Sequence, residues 1–123
     1  MDLDITTSRL GEESVVAASG EIDLTSCGRL RDGLERVGLD DTIGTVVDLT
    51  NVGFIDSTGL SVLVDGAHKA HAEGRTFGVV AGGHLRELLR ITGLDTVMTV
   101  HSELAHAVGT VDRSAVNDEA PHS

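Results

Sequence analysis

Asp56, Ser57 and Thr58 stand together in the run DLTNVGFIDSTGL, Asp48 to Leu60, where an apolar strand gives way to an apolar helix. A hydroxyl at the start of a helix accepts a bond from one of the first backbone N–H groups, which lack partners within the helix. The same position favours a phosphoryl group, because free N–H groups and the helix dipole attract negative charge. Ser57 is therefore a candidate N-cap and a candidate phosphate acceptor, with Thr58 as the alternative acceptor.

Other chemistries fail on residue type or spacing. A nucleophile elbow needs glycine two residues before its serine as well as two after it. Ile55 stands at the first of those places, and a β-branched residue does not fit that strained turn. No glycine-rich loop ends in Lys and Ser or Thr, and Lys69 is the only lysine. The pair Gly82–Gly83 is not a GxGxxG fingerprint and reads as a turn. His68 and His71 share a helix face by spacing, but the pattern supplies no third metal ligand nearby, so they read as a solvated face. His84, His101, His106 and His122 read as surface residues. Cys27 is the only cysteine. It excludes an intrachain disulfide, fits a reducing compartment and reads as a small apolar residue. No catalytic group, metal site or cofactor is expected.

The elements that position Ser57 follow from periodicity. Leu3 and Ile5 alternate with Asp4 and Thr6 as a first strand, and Gly11–Glu12 make a turn. Residues 14–19 form a second strand in a hairpin with the first, and the chain leaves it over residues 20–23. Thr25 or Ser26 caps a helix carrying Leu30, Leu34 and Val37, which ends near Gly38. Residues 44–50 are a buried strand, and Phe54 and Ile55 carry the chain back into the core. The next helix runs from Ser57 to about Ala72, with Leu60, Leu63 and Val64 inward, and ends at Gly74. A strand over 76–81, a helix over 84–92 and a strand over 97–100 follow. A fourth helix is expected from Ser102 to about Val111. The result is a single α/β domain over residues 1–111: a mixed, mostly parallel sheet of about five strands, an opening β-hairpin and about four helices. Residues 112–123 read as a disordered polar tail. Among the acids at turns, Glu21 and Asp23 stand apart. The second strand should end beside the carboxyl end of the third, the edge where open α/β sheets concentrate binding.

Composition narrows the partners. The chain of 123 residues suits one domain. Nine basic residues face twenty acidic ones, for a net charge of −11, which disfavours nucleic acid and anionic membrane. A basic protein surface is the better match. With Phe54 and Phe77 the only aromatic residues, no stacking platform for single-stranded nucleic acid exists. No apolar run approaches the ~18 residues of a membrane span, and no signal-peptide pattern opens the chain, so a soluble cytoplasmic protein is expected.

Three blocks resemble sulfate transporter and anti-sigma factor antagonist (STAS) domains, and more narrowly the stand-alone anti-sigma factor antagonists. They are GEIDLTSC at Gly20–Cys27, DLTNVGFIDSTGL at Asp48–Leu60 and ITGLDTV at Ile91–Val97. The resemblance runs from about Leu3 to Val111. It implies a mixed sheet covered by helices and a role by binding. Unphosphorylated members bind an anti-sigma factor and free its sigma factor. The anti-sigma factor is often a serine kinase using Mg-ATP, which modifies the serine matching Ser57, and a serine phosphatase reverses this. Asp56, Thr58 and Gly59 match the residues flanking that serine, and Glu21 and Asp23 match a loop of the partner surface. His84 departs from the pattern, since many relatives carry proline near that helix start. The resemblance also admits a scaffold or sensor-complex component, or a module regulating a transporter.

Overall fold

Apolar alternation and tight turns build the sheet from its edge inward. The computed structural model describes residues 2–105 together with Ala107 and Val108. Strands β1 (Leu3–Leu10) and β2 (Glu13–Ile22) form the expected antiparallel hairpin. Helix α1 (Cys27–Val37) then leads to β3 (Gly44–Ile55), and α2 (Ser57–Ala72) leads to β4 (Thr76–Val80). Helix α3 (Gly83–Ile91) and a 3-10 turn (Leu94–Thr96) precede β5 (Thr99–His101). The strands lie in the order β1-β2-β3-β4-β5, and every pair after the hairpin is parallel. Helical crossovers between neighbouring parallel strands produce this arrangement.

The main core lies between one sheet face and the helices. Leu30 of α1, Leu63 of α2 and Leu89 of α3 meet Val16 of β2, Val47 and Leu49 of β3 and Val79 of β4. Leu63 is fully buried as expected, whereas Leu60 and Val64 are only partly buried. Gly59, Val62, Ala67 and Ala70 complete the inner face of α2. Val46 and Val80 face the other way and pack with Leu104 and Ala107.

Several expectations are corrected. Strand β2 continues to Ile22, and β3 continues to Ile55, past the polar stretch Thr50–Asn51. Their pairing persists because register shifts between Ala17 and Ser19, and between Gly20 and Glu21, absorb the mismatch. Gly20 supports the second of these with φ +124, where a side chain would meet the Asp2 carbonyl. Phe54 is 49% exposed and does not join the core, whereas Ile55 does. The last strand begins at Thr99, two residues late, because Leu94–Thr96 coils first. Among the described residues there are three α-helices. Leu104, Ala105, Ala107 and Val108 are helical, but the rest of the expected fourth helix, and the expected tail over 112–123, lie outside the described residues.

Candidate functional site

The site grows from two strand ends held side by side. Glu21 pairs with Phe54, and Ile22 with Ile55, so β2 and β3 finish together at one sheet edge. The Asp56 N–H then donates to the Ile22 carbonyl at 3.0 Å, tying the start of α2 to the end of β2. Parallel pairing thereby brings the loop after each strand to the same place, as expected for Glu21 and Asp23 beside Ser57.

Each loop is organised by an aspartate. Asp23 Oδ1 accepts from the Thr25 N–H at 3.0 Å, the Thr25 hydroxyl at 2.7 Å and the Ser26 N–H at 3.1 Å. Ser26 precedes α1, but its hydroxyl does not cap that helix; it donates to the Glu21 carbonyl at 2.8 Å. Asp56 repeats the device. Its Oδ1 accepts from the Thr58 N–H at 3.0 Å, the Gly59 N–H at 3.1 Å and the Thr58 hydroxyl. Asp56 is thus the N-cap of α2, with an extended backbone at φ −101 and ψ −173. Ser57 is the first helical residue and not the cap.

That correction separates the two candidate acceptors. The Thr58 hydroxyl is already committed to Asp56. Ser57 is exposed, and its hydroxyl makes no hydrogen bond among the described residues. Gly59 is buried, and a Cβ there would stand 2.6 Å from both Ile22 Cγ2 and Ile55 Cγ1. Glycine at this position lets the first turn of α2 press against the two strand ends.

The electrostatics follow from the same bonds. The Thr58 hydroxyl, then the Gly59 and Thr58 N–H groups, hold the Asp56 carboxyl below its ordinary value of 3.8, while partial burial and the nearby Asp23 charge oppose this. The Thr25 hydroxyl likewise lowers Asp23. Both are carboxylates at neutral pH, and the surface around Ser57 is acidic.

Three exposed apolar side chains lie at or near this end of the molecule, and the sequence pattern did not mark them as site residues. Leu24 is 73% exposed, between Asp23 and Thr25, and Phe54 lies beside Glu21 in the pairing register. Ile91, at the end of α3, is also exposed. The third sequence block joins the site through Thr92 and Leu94, which line a shallow groove with Ser57, Leu60 and Val64. Tertiary packing alone reveals that adjacency. The repeated spacing Asp23-x-Thr25 and Asp56-x-Thr58 was the available sign of the two aspartate-centred loops.

His68, His71 and His84 are exposed and away from these loops in the chain. Cys27 is buried at the first turn of α1. No helix among the described residues is long and apolar enough to cross a membrane.

The sequence model described as "Mlab, STAS domain" matches residues 5–104. The chain is similar to anti-sigma-F factor antagonist RsfB of Mycobacterium tuberculosis, 31% identical over 117 residues, covering 90% of this chain and 95% of the relative. It is 33% identical over 87 residues to an anti-sigma-B factor antagonist of Listeria monocytogenes, covering 69% of this chain and 75% of the relative. The crystal structure of an anti-sigma factor antagonist from Mycobacterium paratuberculosis superposes with a TM-score of 0.84. That chain is 32% identical, and the match covers 90% of this chain and 95% of that one.

Proposed function

The chain belongs to the STAS domain family, and from that premise we propose that it is an anti-sigma factor antagonist switched by phosphorylation of Ser57. In its unmodified form it binds an anti-sigma factor and so frees a sigma factor in the cytoplasm. The anti-sigma factor doubles as a serine kinase. The Ser57 hydroxyl attacks the γ-phosphorus of ATP held by that kinase, ADP leaves, and the hydroxyl proton passes to a base of the kinase. A separate phosphatase hydrolyses the phosphoserine. The protein itself acts by binding and not by catalysis.

One observation carries this reading: Ser57 is exposed with an uncommitted hydroxyl, whereas Thr58 is bonded to Asp56. Asp56 also takes the N–H groups of Thr58 and Gly59, so a phosphoryl group on Ser57 would project outward and leave the cap in place. The first helical turn still offers a favourable dipole. The effect of the modification therefore falls on the interface. Phosphorylation adds about −1.5 to −2 charges beside two carboxylates. Covering that group with a surface fitted to a small serine costs several kcal/mol of desolvation and steric conflict, or about a hundredfold or more in affinity.

The test uses immobilised wild-type protein, Ser57→Asp and Ser57→Ala, with mass spectrometry of retained partners and of phosphorylated residues. Wild type and Ser57→Ala should retain an anti-sigma factor, and Ser57→Asp should lose it while its circular dichroism and Tm stay unchanged. Incubation with the retained kinase and Mg-ATP should label wild type at Ser57 and leave Ser57→Ala unlabelled. Labelling of Ser57→Ala at Thr58, or unfolding of Ser57→Asp, would overturn the proposed switch.

A further inference from the structure

A cavity of about 180 Å³ lies between α1 and α2, lined also by the early residues of β3 and β4 and thus at the opposite sheet edge from Ser57. Its apolar lining is Leu34 of α1, Val62 of α2 and Phe77 of β4, and Val62 and Phe77 are buried. Gly66 supplies the close approach. A Cβ there would sit 3.1 Å from both Leu34 Cδ1 and Phe77 Cε1, so glycine lets α2 pack directly onto both side chains.

The charged groups around this apolar body fall into two sets. Arg75 is committed: it donates to the Thr42 hydroxyl at 2.8 Å and the Thr42 carbonyl at 3.2 Å, and pairs with Glu73 at 3.7 Å. Arg31 and Glu35 on α1, and Asp65 and Lys69 on α2, also line the cavity. None of these four side chains forms an ion pair or hydrogen bond among the described residues. The rim thus presents unpaired charges of both signs on both helices.

A cavity of ~150 Å³ lined by apolar side chains holds one benzene-sized body. The space over Phe77 is of that order. A ligand that fills it and answers both rim charges must carry one compact apolar group, one anion and one cation. We propose that this cavity binds a free α-amino acid with a branched or aromatic side chain. The side chain lies over Phe77, Leu34 and Val62, the carboxylate meets Arg31 or Lys69, and the ammonium meets Asp65 or Glu35. Asp65 lines both this cavity and the shallow groove beside Ser57, the rest of the lining is distinct, and binding here does not depend on the proposed switch.

The probes are L-phenylalanine and L-leucine, titrated into the full chain and followed by isothermal calorimetry and by backbone amide NMR. The expected result is saturable binding by at least one probe, with shift changes centred on Gly66, Lys69 and Phe77. N-acetyl-L-phenylalanine amide, which keeps the ring and lacks both charges, should bind at least tenfold more weakly, and so should L-alanine, which keeps the charges without the body. Arg31→Ala and Lys69→Ala change exposed residues and should fold normally. At least one should weaken binding by about tenfold, the loss of one charge-assisted contact. Absence of saturable binding by both probes would overturn the proposal. So would shift changes confined to other elements, equal binding by the uncharged control or by L-alanine, or full affinity in both variants.

Discussion

Asp56 and Ser57 divide the work that one residue was expected to do. Asp56 caps α2 and pins the Thr58 hydroxyl, which leaves Ser57 uncommitted at the surface. Asp56→Ala should therefore lower the Tm, and Ser57→Ala should leave it unchanged, in thermal unfolding at neutral pH. The pH dependence has a fixed sign. A carboxyl held below 3.8 in the folded state contributes stability that is complete above that ordinary value and lost as pH falls through the lower folded value. Wild-type Tm should thus fall more steeply than that of Asp56→Ala as acid is added below about pH 4, the onset of carboxylate protonation in the unfolded chain. Gly59→Ala tests the packing beneath the proposed switch. Its Cβ would stand 2.6 Å from two isoleucine side chains, and urea unfolding should show a loss of about 1–3 kcal/mol. The identity of the cap was hard to see in the sequence because Asp and Ser are about equally good N-caps. What decides between them is where β3 stops, and Asp56 is the first residue past Ile55.

At the scale of elements, the hairpin, the three crossover helices and the parallel pairing were legible, because each has an uninterrupted apolar period bounded by glycine or polar turns. The strand ends were not. Asn51 and Gly53 read as loop residues, yet β3 runs through both. They are tolerated because β2 pairs alongside to Ile22 and shifts its register on the way. The shifted register also explains Phe54, whose side chain turns outward although its type suggests the core. Phe54→Ala should consequently change stability by less than about 0.5 kcal/mol, as for an ordinary surface position. The same substitution should weaken binding to the anti-sigma factor by about tenfold or more, since exposed aromatic side chains anchor interfaces. Surface plasmon resonance of the variant against wild type measures this, and equal affinities would remove Phe54 from the interface.

Over the whole molecule, acidic charge and the rigid edge around Ser57 act together in the proposed binding. A net charge of −11 attracts a basic partner from a distance, and salt screens that attraction. Raising ionic strength from about 0.05 to 0.5 M should slow association with the anti-sigma factor severalfold and change dissociation little, in stopped-flow measurements. The bond from the Asp56 N–H to the Ile22 carbonyl bears on the time course as well. It fastens the residue before Ser57 to the sheet, and the Asp56 carboxylate fastens the two residues after it. The segment has no slack to lose on docking, so little conformational entropy opposes complex formation there. Binding should proceed in one kinetic phase whose observed rate rises linearly with partner concentration, with no slower rearrangement following the encounter.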